Sequence, residues 1–199
     1  MKRLILASLS AALVLWAQAP PEGAAGAAKG KAKAAGRGVI TAETKAPTPP
    51  PVPQVLRLVR ANTYLVTGHG NNAVFRVTPQ GVILTNTKLA GAGDYERLVE
   101  LIRGITPLPV KFVFNTSSKP EAAGNNAKFQ AAGAEIVAGE RVVTLGGSEV
   151  RSVGVGGSTV VYSPGEKLLV LGDVDKSNPA VSKLDWTLAV PASGEPVYR

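Results

Sequence analysis

The hydrophobic pattern divides the chain into an apolar opening, a low-complexity stretch, and a body in which two periods alternate. Gln54–Arg60 and Thr63–Thr67 alternate and are rich in Leu and Val, which predicts two strands. Ala73–Thr78 predicts a third and Val82–Thr85 a fourth, with Pro79-Gln80-Gly81 as the turn between them. Gly68–Asn72 reads as a tight Gly/Asn connection. The period then changes. Tyr95, Leu98, Val99 and Ile102 recur at helical spacing, which predicts a helix over Gly93–Gly104, with Asp94 as N-cap and Gly104 as the stop. Val110–Phe114 predicts a buried strand, Asn115–Gly124 a polar loop, Asn125–Ala132 a short helix and Glu135–Ala138 another strand. Thr159–Ser163 and Lys167–Leu171 predict strands joined by a type II turn centred on Pro164-Gly165. The second of these runs into Gly172-Asp173, a polar residue at a strand end, where α/β proteins place their chemistry. Beyond Val174 the pattern fades, and the alternation of Leu184, Trp186, Leu188 and Val190 predicts a last edge strand.

The opening segment has a different logic. Lys2 and Arg3 precede an apolar run of 13 residues, Leu4–Trp16, which ends at Ala17-Gln18-Ala19. That is the layout of a secretory signal peptide over residues 1–19, and the run is shorter than the ~20 apolar residues that span a bilayer. An uncleaved anchor is the alternative, so the membrane enters only through this segment. Residues 20–53 hold 9 Ala, 5 Gly and 7 Pro in 34 positions. Such a stretch cannot bury enough apolar surface to offset its ordering entropy, and it reads as a disordered linker. The folded domain is then residues 54–199, and the expected location is periplasmic or secreted.

The net charge is +8, but +2 of it lies in residues 1–19 and +3 in residues 20–53. The body carries the remaining +3 and no basic stripe interleaved with aromatics, so nucleic-acid binding is not expected. The absence of Cys excludes disulfides, thiol catalysis, Cys-ligated zinc and an acylated N-terminal Cys. One His in the whole sequence excludes a multi-histidine metal site built by this chain alone. That residue, His69, lies between two glycines and is expected to be an exposed turn side chain.

Several ordered stretches resemble the metallo-β-lactamase fold superfamily. Asn62-Thr63-Tyr64-Leu65-Val66-Thr67-Gly68 followed by Asn71-Asn72-Ala73-Val74-Phe75 is similar to its opening hairpin. Gly81-Val82-Ile83-Leu84-Thr85-Asn86-Thr87 is similar to the strand end that carries an Asp, and Val113-Phe114-Asn115-Thr116 to the strand that delivers the metal loop. Gly156-Gly157-Ser158-Thr159-Val160-Val161-Tyr162 and Lys167–Asp173 are similar to the later segment ending in Gly-Asp. The resemblance implies an α/β fold, an αββα four-layer sandwich with a site along one edge where two sheets meet. It also implies zinc, held by three His and one Asp on the loop, further His later in the chain and an Asp after the late strand. The 26 residues that follow Asp173 imply an abbreviated C-terminal half or a truncated chain, with apolar surface that a homodimer or another partner would cover.

The loop departs from that pattern. Ser117, Lys119 and Ala122 stand where His is implied, Glu121 where Asp is, and Gly154 at a later His position. Asn86 replaces the earlier Asp, and only Asp173 is retained. Neutral imidazoles and carboxylates suit zinc, whereas an ammonium in the pocket opposes a dication. No metal or other cofactor is therefore expected, although zinc is the cofactor the resemblance implies. Asp173 is either a leftover ligand or a cap for the backbone N–H groups after it. Asn86, Ser117, Ser118, Lys119, Glu121 and Asp173 remain as a candidate ligand-binding set. A Ser–Lys dyad is out of register, because Ser-x-x-Lys ending at Lys119 would begin at Thr116. Gly154-Val155-Gly156-Gly157 lacks the spacing of a dinucleotide loop.

Three functional readings follow. The first is a non-catalytic binding or scaffolding module of the cell envelope, taking a small molecule or an envelope protein. The second is a divergent hydrolase using Lys119, Glu121 and Asp173 as a metal-free acid/base set. The third is a structural envelope protein in which the linker carries the function.

Overall fold

A computed structural model describes residues 53–199. The signal-peptide reading and all of the linker reading except Pro53 fall outside the described residues. Two six-stranded sheets face each other. The first contains β1 (Val55–Arg60), β2 (Thr63–Thr67), β3 (Ala73–Thr78), β4 (Gly81–Thr85), β5 (Val110–Phe114) and β6 (Glu135–Ile136), in that spatial order. The second contains β7 (Val142–Leu145), β8 (Ser148–Val155), β9 (Ser158–Ser163), β10 (Leu168–Gly172), β11 (Leu188–Pro191) and β12 (Val197–Tyr198), with β12 and β7 at its edges. Antiparallel hairpins join β1 to β4 and β7 to β10. Parallel pairing appears where a helix intervenes. α1 (Asp94–Arg103) connects β4 to β5, α2 (Pro120–Ala123) and α3 (Asn126–Ala131) connect β5 to β6, and α4 (Pro179–Ser182) connects β10 to β11. Two antiparallel strands can be joined by a tight turn, whereas a parallel pair needs a crossover.

The period-2 rule explains the layers. Leu65, Val74 and Ile83 point between the sheets and meet Val150, Val161, Val170 and Val190 from the other side. Their chain neighbours Val66, Ala73, Phe75, Val82 and Leu84 point outward and pack under Leu98 and Ile102 of α1 and Phe129 of α3. β4 is therefore buried on both faces along its whole length, which is why its sequence is a continuous apolar run. Burying a side chain such as Leu98 contributes roughly 1.5–3 kcal/mol, and Leu98→Ala would cost about 2–5 kcal/mol with its cavity. On the outside of the second sheet, Val160, Tyr162, Leu169, Leu171 and Ala189 are covered by Val181 of α4 and by Trp186. The four-layer order is thus present, and its fourth layer consists of one four-residue helix and a Trp-bearing turn. The sheet beneath has six strands.

Several local expectations need correction. Asp94 is the first helical residue and not the N-cap; Gly93 holds the cap position at φ 82°. Asp94 instead directs its carboxylate to His69, whose Nδ1 lies 2.7 Å from Asp94 Oδ1 with both side chains under 20% exposed. His69 is accordingly not an exposed turn residue. Pro164–Glu166 forms a 3₁₀ turn and not a type II turn, with Lys167 left-handed at φ 50°. Glu166 reaches across to Arg76 of β3 at 2.6 Å, which pins this turn of the second sheet to the first. β11 lies inside its sheet between β10 and β12, so it is not an edge strand. Asn115–Gly124 contains the helical turn α2, and β7 and β8 occupy a stretch in which the sequence pattern predicted no strand.

Candidate functional site

Thr116 is the point where the two sheets are joined at one edge. Its backbone N–H donates to Asn86 Oδ1 at 2.9 Å and its hydroxyl to the same oxygen at 3.1 Å. Its carbonyl accepts from Thr159 N–H of β9 at 3.0 Å. Its side chain also lies against Gly172, where an added Cβ would meet Thr116 Cβ and Oγ1 at 2.5 Å. The carboxyl ends of β4, β5 and β10 and the start of β9 therefore converge here. Crevices at the carboxyl ends of parallel strands are where open α/β sheets place ligands.

The residues expected to form a site are brought together only in part. Ser117 and Ser118 line an open cleft of about 580 Å³, shared with Asn115, Asn126, Ser158 and Thr159. Lys119 follows at once and spans to the second sheet, its Nζ 2.8 Å from Asp173 Oδ2. Both ends of that pair are exposed. The Asp173 hydrogen bond and charge, with a smaller contribution from the Glu121 charge, hold the Lys119 ammonium above its ordinary pKa. Glu121 itself sits exposed on α2, and its backbone carbonyl accepts from Asn71 N–H at 2.9 Å.

Asn86 is a correction to the ligand-binding set. It is fully buried, and its amide nitrogen donates to the Asn72 carbonyl at 2.9 Å while its oxygen takes both Thr116 donors. Its carboxamide is committed to the fold. Its φ of 64° is left-handed, a conformation Asn tolerates better than most residues. Asp173 faces Lys119, and the cap of the following turn belongs to Asp175, whose Oδ1 accepts from Ser177 N–H at 2.7 Å. Those bonds to Ser177 hold the Asp175 carboxyl below its usual range. Gly154, on β8, donates its N–H to Glu140 Oε1 at 2.9 Å.

Sequence reading passed over Lys88, two residues beyond Asn86. It is fully buried, and its Nζ donates to the carbonyls of Val66 at 2.7 Å and Gly68 at 2.8 Å. Burial lowers its pKa from 10.5 to about 7. Desolvation disfavours the ammonium, and a neutral amine can still donate both of these bonds. Lys88 ties the β2–β3 turn to the segment after β4. The same turn donates Asn72 N–H to Ala192 O at 2.6 Å, and Asn72 Nδ2 to Pro191 O at 3.1 Å and Gly194 O at 3.0 Å. Thr116, Asn126, Ser158 and Thr159 were also missed, because nothing in the local pattern marks a small polar residue as part of a cleft.

The donor set does not fit zinc. The one retained carboxylate, Asp173, has its Oδ2 engaged by an ammonium, and a serine and a lysine occupy positions where imidazoles are implied. Among the described residues, no group of three or more His, Cys, Asp or Glu is placed to hold a metal ion.

The two-sheet sandwich, its crossover helices and the edge site define the metallo-β-lactamase fold. The chain is similar to a metallo-β-lactamase from Pontibacter korlensis, with a TM-score of 0.63 and 14% identity over 73% of this chain and 94% of that one. It is similar also to metallo-β-lactamase IND-7, with a TM-score of 0.61 and 19% identity over 71% and 91% of the two chains. A metallo-β-lactamase from Hirschia baltica aligns with a TM-score of 0.60 and 14% identity over 74% and 93%. No family model matches the sequence, and no curated protein does. At these identities the likeness is one of fold.

Proposed function

We propose that the protein is an exported binding module of the cell envelope, a metallo-β-lactamase fold whose edge site works without a cation. The observation that carries this reading is the 2.8 Å contact between Lys119 Nζ and Asp173 Oδ2. The Lys119 ammonium, neutralised by the late-strand carboxylate, stands where a metal would otherwise sit. A dication entering the same place would meet that charge at short range and would have to displace it. The layout of residues 1–19 supports export, and the composition of residues 20–53 supports a tether that holds the domain away from a surface.

The same contact argues against an acid/base set of Lys119, Glu121 and Asp173. A lysine whose pKa is raised by its carboxylate partner is a poor base near neutral pH and too weak an acid to exchange its proton readily. The test is a turnover assay of purified protein with lactam and ester substrates. No hydrolysis above the uncatalysed rate is expected. Hydrolysis that disappears in Asp173→Ala would overturn the reading.

A further inference from the structure

We propose that the cleft beside the Lys119–Asp173 pair takes an uncharged ligand rich in hydroxyl and amide groups, a saccharide in chemical class. This rests on the reading of the site as one that binds without a cation, and it specifies what such a site would hold.

The lining chemistry carries the argument. Four hydroxyl-bearing residues, Ser117, Ser118, Ser158 and Thr159, and two carboxamide-bearing ones, Asn115 and Asn126, line one open space of about 580 Å³, with Asn126 Oδ1 also accepting from the Thr87 hydroxyl at 3.0 Å. That lies within the ~300–1,000 Å³ of small-molecule sites. Hydroxyls and carboxamides both donate and accept, as sugar hydroxyls and N-acetyl groups do, so each can meet the other in either sense. Ser118 is exposed and Ser158 and Thr159 are half-buried, so their polar ends are within reach of solvent and ligand. Gly139 and Gly157 leave part of the wall without side chains, and a ring can lie close to the backbone there.

Charge excludes the alternatives. None of the residues that line the cleft is ionisable. The flanking Lys119 and Asp173 neutralise each other at 2.8 Å. A phosphate or carboxylate would gain a cation only by detaching Lys119 from Asp173, and a cationic ligand would have to evict Lys119. A second, independent observation lies in the floor of the cleft. Asn115 Oδ1 is buried and has no hydrogen-bond donor among the described residues. A buried acceptor without a donor is rare and costly. A small rearrangement that opens Asn115 to the cleft would let a ligand O–H or N–H satisfy that oxygen.

The test is a titration of ¹⁵N-labelled full chain with N,N′-diacetylchitobiose, a neutral disaccharide with both group types, and in parallel with glucose 6-phosphate. The expected result is a saturable shift of the Asn115, Ser118, Ser158 and Thr159 amide signals by the neutral sugar. Those shifts should be unchanged by added salt, since no ion pair is formed. Ser118→Ala, at an exposed position where folding is not at stake, should weaken binding about threefold, and Ser158→Ala about tenfold. The absence of saturation at millimolar disaccharide would overturn the proposal, as would salt-sensitive preference for the phosphorylated sugar. Zinc binding would bring down the cation-free reading itself, whereas a zinc-free protein that ignores the disaccharide brings down only this ligand class.

Discussion

Lys119 and Asp173 lie 54 positions apart and meet at 2.8 Å, one on the loop after β5 and the other at the end of β10. The contact joins the two sheets at the edge where the fold places its chemistry. Both side chains are substantially exposed, so solvent screens the pair and its role is in the charge of the site more than in stability. Lys119→Ala is expected to leave the thermal midpoint within about 2 °C of the parent. A raised lysine pKa contributes stability below the unfolded value of 10.5 and loses it as pH rises through the folded value. The pair therefore persists through neutral pH and dissolves only in strong alkali. Thermal melts of both proteins near pH 7 check the first expectation, and a drop of about 10 °C would contradict it.

Lys88 behaves in the opposite sense. Its pKa is about 7 when folded against an ordinary lysine value of 10.5, so the unfolded chain binds the extra proton between those limits. Stability from this group is therefore lowest below about pH 7 and rises as pH climbs toward 10.5. The full excursion is on the order of a few kcal/mol. Urea unfolding at about pH 7 and about pH 9.5 should show a gain for the parent that Lys88→Met abolishes. Identical pH profiles for the two proteins would contradict the assignment.

Asn86 discriminates between an amide and a carboxylate. The resemblance to metal-binding relatives implies Asp at this position, but here the side chain must donate to the Asn72 carbonyl and accept from Thr116. Asn86→Asp removes the donor and sets a carboxylate oxygen against a carbonyl in a fully buried place. The expected cost is about 2–4 kcal/mol, read from denaturant midpoints. Wild-type stability in Asn86→Asp would show that the buried amide is not required.

Gly172 is required for space and for backbone conformation. Its φ is 57°, and a Cβ there would meet Thr116 Cβ and Oγ1 at 2.5 Å. Gly172→Ala should destabilise by about 2 kcal/mol or more through left-handed strain and overlap. It should also displace Asp173 from Lys119, visible as a shift of the Asp173 amide signal. A neutral substitution would mean that Thr116 can yield.

Much of the first sheet was legible in the sequence, because β1 to β5 carry unbroken alternation or continuous apolar runs and α1 a clean helical stripe. β7 and β8 were not. Glycines at 146 and 147 break the run, Val142 faces solvent, and Ser152 sits buried where an apolar residue would have marked the inner face. That the loop carries Ser117, Lys119 and Ala122 where the resemblance implies His is a matter of residue identity and needs no structure. The partner of Lys119 was not, because no local pattern reports that the end of a strand 54 residues later comes within 2.8 Å. Lys88 was hidden for a related reason. Nothing local marks a lysine between Thr87 and Leu89, and only the tertiary approach of Val66 and Gly68 supplies the carbonyls that hold it.

The central claim is that an ammonium–carboxylate contact occupies the place of a metal. Mass spectrometry for metal content, on protein purified without chelator, tests it most directly. The account predicts zinc far below one equivalent per chain, unchanged in Asp173→Ala. About one equivalent of zinc, lost in Asp173→Ala, would contradict it and return the chain to metal-assisted chemistry.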